Sequence, residues 1–154
     1  MNRAAEIKDL SELAGFREIL ITGGEPLLNP RRTLGIIEKI KCLSPDSKIY
    51  VYTAWFDEKL ADIIEEVDGI HYTLHAHSSK RDIADFQRFQ DILPLKSKKS
   101  FRLYINPSIK HSILIKTGLW HRIEIKPWLT EEELLRKQPD GLPMGEKLYV
   151  LENC

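Results

Sequence analysis

Apolar positions recur along this chain with two different periods, and the alternation between them predicts the order of its elements. Ala4, Ile7, Leu10 and Leu13 fall at helical spacing and predict an amphipathic helix over residues 3–14, closed by Gly15. A buried strand follows over residues 17–22. Asn29 suits an N-cap and Pro30 the first helical position, opening a helix that carries Leu34, Ile36, Ile37 and Ile40 and stops before Pro45. Residues 48–53, with an Ile-Tyr-Val-Tyr centre, read as a strand. Residues 57–67 put Leu60, Ile63, Ile64 and Val67 on one helical face, and Asp68-Gly69 breaks the pattern. Another strand spans residues 70–75. Ser78 or Ser79 then caps a helix running to about residue 93, with Ile83, Phe86, Phe89 and Ile92 on its apolar side. Strands are predicted over 101–106 and 121–126, and the stretch 110–119 between them shows no clear period. Thr130-Glu-Glu-Glu133 forms a capping box for a short final helix, and residues 145–151 suit a last strand.

Strands whose gaps can each hold a helix predict an α/β fold built from right-handed βαβ units with a parallel sheet. No repeat or low-complexity linker divides the chain, so residues 1–154 are read as one domain. A parallel array usually opens on a strand, whereas this one is predicted to open on a helix. Strand alternation then sorts side chains by face. Ile70, Tyr72 and Leu74 oppose His71, Thr73, His75 and His77; Phe101, Leu103 and Ile105 oppose Arg102, Tyr104 and Asn106; Ile123 and Ile125 oppose Arg122, Glu124 and Lys126. Parallel strands buried on both faces are apolar on both. A polar face on three neighbouring strands therefore implies either a wet or ligand-filled cavity, as inside an open, incomplete barrel, or a solvent-facing sheet. The histidines and threonine of the 70–75 strand favour the cavity.

Lys plus Arg and Asp plus Glu number 23 each, for a formal charge of zero, with 42% of residues apolar. The one basic run, Lys96-Ser-Lys-Lys99, is short, so the composition argues against a nucleic-acid partner. No run of about 18 apolar residues suggests a membrane span, and the expectation is a soluble, cytoplasmic protein. Two cysteines, Cys42 and Cys154, define neither a disulfide framework nor a metal site. Cys42 is read as a small apolar helix residue, and the three tryptophans, Trp55, Trp120 and Trp128, as packing residues.

The most specific signal lies at residues 21–26, Ile-Thr-Gly-Gly-Glu-Pro, between an apolar run and Leu-Leu-Asn-Pro. Paired glycines at a strand end let backbone approach a ligand closely, and Glu25 adds a carboxylate there. As a bare string it could be an ordinary β-to-α turn. In context, Phe16-Arg-Glu-Ile-Leu-Ile-Thr-Gly-Gly-Glu-Pro-Leu-Leu-Asn-Pro30 resembles the GGEP segment of the radical S-adenosylmethionine (radical SAM) superfamily. The resemblance implies an incomplete (β/α)6 barrel in which Gly23, Gly24, Glu25 and Pro26 receive the amino group of SAM. It also implies, by position at strand ends, that Thr53, His75 and Asn106 contribute to SAM binding. His77, Ser78, Arg102, Tyr104 and Lys126 would then line the substrate cavity. His75 and His77 alternatively make half of a tetrahedral metal site, but without an identifiable third ligand no metal site is assigned.

Family members cleave SAM reductively at a 4Fe-4S cluster held by a CxxxCxxC motif, giving a 5'-deoxyadenosyl radical that abstracts hydrogen from a substrate. The resemblance places that motif in the loop after the first strand, upstream of the GGEP strand, and this chain has no cysteine there. Three readings are open: an N-terminally shortened radical SAM protein, a degenerate member that binds without catalysis, or a chain whose missing strand and cluster come from a partner polypeptide docked at the edge of the GGEP strand. The first is adopted. Whether the chain is an enzyme is open on these residues, and its substrate is unidentified.

Overall fold

Segments in which β-branched and aromatic residues alternate with polar ones form the frame of the molecule. The structure, a computed structural model, describes residues 5–7, 9–127, 132, 133, 136 and 149–151. Its elements are β1 (Ala5–Ile7), β2 (Glu18–Ile21), α1 (Pro30–Leu43), β3 (Lys48–Thr53), α2 (Leu60–Glu66), β4 (Gly69–Leu74), α3 (Lys80–Ile92), β5 (Ser100–Ile105), β6 (Arg122–Ile125) and β7 (Tyr149–Leu151). Strands β2 to β6 pair side by side in chain order, all parallel, as an open five-stranded sheet. The fold is therefore α/β with a parallel sheet, as the spacing of the elements predicts.

A right-handed crossover repeated in one direction puts every connection on the same side of the sheet. Accordingly, Ile37 and Ile40 of α1, Leu60, Ile63 and Ile64 of α2, and Phe86 and Phe89 of α3 join one core with Ile49, Val51, Ile70, Tyr72, Leu74, Phe101 and Leu103. Tyr72 is central: its ring stacks on Phe89 at 4.6 Å and meets Phe86 at 5.5 Å. Burial of each such side chain contributes roughly 1.5–3 kcal/mol. The helix ends agree closely with the capping residues. Asn29 caps α1 through its side chain with Pro30 at the first position, and Ser79 and Asp82 form a reciprocal capping box on α3.

The N-terminal expectation is corrected. Residues 3–14 do not form one helix: Ala5–Ile7 is a strand, and Leu10–Leu13 is a 3-10 helix capped by the Asp9 carboxylate, which accepts from the Ser11 amide at 2.9 Å. Spacing by three satisfies a 3-10 turn as well as an α-helix, and Leu10 and Leu13 are buried by it. Strand β1 lies outside the main sheet and pairs in parallel with β7, a long-range pairing that local periodicity cannot reveal. The strand expected over 145–151 is thus described as Tyr149–Leu151. Residues 132, 133 and 136 are helical, while the expected helix start at Thr130 lies outside the described residues.

The illegible stretch 110–119 takes the place of a helix between β5 and β6, and a buried glutamine holds it. Gln90 donates to the Leu114 carbonyl at 2.9 Å and accepts from the Lys116 amide at 2.8 Å and the Trp120 indole at 3.1 Å. Its polar atoms are thereby satisfied inside the core. Trp120 packs on Phe86 and Phe89, whereas Trp55 is exposed and Trp128 lies outside the described residues.

Close packing of strands is sharpest at Asp68-Gly69. The Asp68 carboxylate accepts from the Ile49 amide at 2.9 Å, its own amide donates to the Ile49 carbonyl, and its carbonyl accepts from the Ser100 amide. A Cβ on Gly69 would overlap the Ser100 carbonyl oxygen. That oxygen belongs to a neighbouring strand and cannot swing away. Gly69→Ala should therefore cost about 2 kcal/mol or more in urea denaturation, while Gly118→Ala, whose Cβ meets nothing within 4 Å, should cost little.

Candidate functional site

Parallel pairing gathers all C-terminal strand ends at one edge, so the turns after β2 to β6 are neighbours. The β2 turn is built on backbone conformation. Gly23 and Gly24 have φ of +79° and +59°, a region L side chains rarely adopt, and an added Cβ would meet nothing within 4 Å at either. The glycines are thus required by the turn rather than by crowding, and the space before them is open.

Glu25 joins this turn to the next strand. One carboxylate oxygen accepts from Thr53 Oγ1 at 2.5 Å and from the Leu27 amide at 3.0 Å; the other accepts from the Ala54 amide at 2.9 Å. It also caps the 3-10 helix Pro26–Leu28, whose Pro26 carbonyl accepts from Thr33 Oγ1 at 2.6 Å. A carboxylate offers about four lone-pair sites, so one remains for a cationic ligand. Thr53 is buried and pairs with Tyr72, so its side chain lies on the helix side of the sheet. It braces Glu25 there and is turned away from the polar face.

His75 and His77 follow β4 with their rings stacked 6.0 Å apart. Burial and the neighbouring His77 hold the His75 imidazole below its ordinary value, partly offset by the negative charge of Glu25. The Ser78 amide donates to the His75 carbonyl at 3.0 Å and closes that turn. Asn106 is buried; its amide donates to the Leu74 carbonyl at 2.9 Å, and its side-chain oxygen accepts from the Ser108 amide at 2.9 Å. This side chain shapes its own loop.

Arg102, Tyr104 and Lys126 belong to the polar face. In register across β3 to β6 run Tyr52, His71, Arg102 and Arg122, and in the next row Thr73, Tyr104 and Glu124. Tyr52 stacks on His71 at 4.2 Å. Glu124 pairs with Arg122 at 2.5 Å and Lys126 at 2.6 Å, and Tyr104 donates its hydroxyl to the Lys126 carbonyl at 2.5 Å. These side chains are half-buried or exposed rather than enclosed. Two open depressions, of ≈ 350 and ≈ 680 Å³, lie instead on the helical side, around Phe56 and Arg88 and around Gln87 and Leu114.

Among the described residues no three His, Cys, Asp or Glu side chains gather as a metal site. Cys42 is exposed near the C-terminal end of α1, and Cys154 lies outside the described residues. Cys42 is a helix residue, as read from its sequence, but an exposed one. Helix α1 starts at the C-terminal strand edge and runs away from it, leaving Cys42 roughly 18 Å distant along its axis. Comparison with protein-family models, with curated proteins and with solved structures found no match to this chain. No helix among the described residues is long and apolar enough to cross a membrane.

Sequence patterning placed His71 on the polar face but not among the candidates, and it missed the Ala54 amide entirely. The even-odd alternation of β4 carries the signal for His71; a backbone donor such as Ala54 leaves none.

Loss of the Thr53 hydroxyl would leave Glu25 short of a charge-assisted bond. Thr53→Val should therefore lower stability by about 1.5–3 kcal/mol, and Thr53→Ser should restore most of it, both by urea denaturation. Burial, with Arg102 beside it, pushes His71 down to about 4. Between that value and the ordinary one near 6.5, the unfolded chain holds a proton that the folded chain does not, so stability falls as pH drops through this window. Solvent reaches the half-buried ring and screens its charge, so His71→Gln should remove a loss of about 1 kcal/mol between about pH 7 and about pH 5, measured as the difference in unfolding free energy from the parent.

Proposed function

We propose that this chain is the SAM-binding part of a radical-SAM-type core, an incomplete barrel whose C-terminal strand edge receives the methionine end of the cofactor. One observation carries the reading: the Gly23-Gly24 turn has an open approach, and the Glu25 carboxylate is fixed beside it by Thr53, Ala54 and Leu27. Strand-end backbone carbonyls and a carboxylate suit an ammonium group. The one-directional strand order and one-sided helices support a barrel-like sheet, and the position of β2 at the sheet edge supports a further strand beside it in the complete fold.

The cluster is another matter. Three thiolates are needed, and two cysteines, one of them at the far end of α1, do not fit a 4Fe-4S site. This chain's own residues therefore support cofactor binding and no radical step. Radical catalysis would require ligands from outside this sequence, whether from a longer form or from a partner chain, and the substrate would be taken at the same edge. A purely binding or regulatory role on the same frame is the second reading, favoured by that absence of cluster ligands. A metal enzyme using His75 and His77 has less support, because no third ligand stands near them among the described residues.

Calorimetric titration tests the proposal. SAM should bind saturably, 5'-methylthioadenosine, which lacks the amino acid, should bind at least about tenfold more weakly, and Gly24→Ala should weaken SAM by a similar factor through its left-handed backbone. Anaerobic incubation with iron and sulfide should leave the chain without cluster absorbance. Absence of any SAM binding overturns the reading.

A further inference from the structure

We propose that the polar face of the sheet is an anion site, which takes a small molecule through a phosphoryl or carboxylate group held at Arg102 and Arg122. The inference is independent of the SAM reading, because it concerns side chains well below the strand ends. Arg102 and Arg122 are direct register partners on β5 and β6. Adjacent parallel strands lie about 4.8 Å apart, and like charges directly opposite destabilise a sheet. An oxyanion between two guanidinium groups converts that repulsion into charge-assisted hydrogen bonds, the planar fork of each arginine matching its geometry.

Charge on this part of the face is unbalanced. One carboxylate, Glu124, pairs directly with Arg122 at 2.5 Å and Lys126 at 2.6 Å, and acts on Arg102 by longer-range attraction without a direct ion pair. The chain as a whole has no net charge, so the surplus is local. On the other side of Arg102 lies His71, its register partner on β4, with the Tyr52 ring stacked on it. Held neutral near pH 7 by burial and by Arg102, this imidazole can donate to an anion without adding repulsion. The site thus has two guanidinium groups flanked by an aromatic wall.

Inorganic phosphate titrated into the full chain at low ionic strength, with the histidine ring resonances followed by NMR, provides the test. The expected result is a saturable shift of the His71 signal below about 20 mM phosphate, with affinity falling at least about tenfold in Arg102→Gln. Arg102 is exposed and faces a like charge, so this variant should melt at or slightly above the parent temperature; Arg122→Gln, expected to weaken phosphate likewise, serves if it melts below it. Acetate in place of phosphate assigns the group: equal binding marks a carboxylate ligand, and clear preference for phosphate marks a phosphoryl one. A His71 signal that does not saturate by that concentration, or that responds equally in both folded variants, overturns the proposal.

Discussion

Each strand of the main sheet lies beside the next in chain order and points the same way, and most of the architecture depends on this constraint. Because βαβ crossovers are right-handed as a rule, a sheet in this order puts α1, α2 and α3 on one side, where they share one core. The opposite face is left to side chains that no described helix covers, and the strand ends are gathered at one edge. Apolar residues are needed on only one face of each strand, and the other face is free to be polar. A doubly wound sheet, reversing its strand order, would have helices on both faces and would demand apolar residues on both. The alternation of His71, Thr73, Arg102 and Tyr104 with buried apolar neighbours is the consequence.

Within that frame Glu25 acts as a joint. A turn with two successive glycines at positive φ is conformationally expensive to order, because glycine loses the most freedom on folding. Three donors on the Glu25 carboxylate, two of them from the end of β3, tie this turn to the neighbouring strand. The same charge acts on His75 and, more weakly than burial does, on Tyr72. Glu25 therefore both shapes the turn and supplies negative potential to the edge, which is the combination a cationic amino group requires.

Much of this was legible in the sequence because it depends on local period and capping. Strands β3 to β6, helices α1 and α3, and the burial of Ile70, Tyr72, Leu74, Phe101 and Leu103 follow from alternation, from Asn29-Pro30 and from Ser79 with Asp82. The failures depend on distant partners. Leu10 and Leu13 fit an α-helix or a 3-10 turn equally, and only pairing with Tyr149–Leu151 reveals Ala5–Ile7 as a strand. Gln90 was indistinguishable from an ordinary helix-surface amide until the 110–119 stretch folded over it. At the candidate site, the residues named by position at strand ends do share one edge, but Thr53 and Asn106 spend their side-chain oxygens on bracing loops, a use that position alone does not disclose.

Opposite charges stand at separate places on this sheet. At the strand-end turn after β2, a carboxylate lies beside strand-end backbone; on β5 and at the start of β6, guanidinium groups outnumber the one carboxylate beside them. Separation of the two matters, because Glu25 placed beside Arg102 would form an ordinary ion pair and cancel both fields. Instead the acid is consumed by uncharged donors, a hydroxyl and two amides, which fix its position without neutralising its charge. The fold supplies that polarity without any buried unpaired polar side chain among the described residues, so it is maintained at little cost to the core.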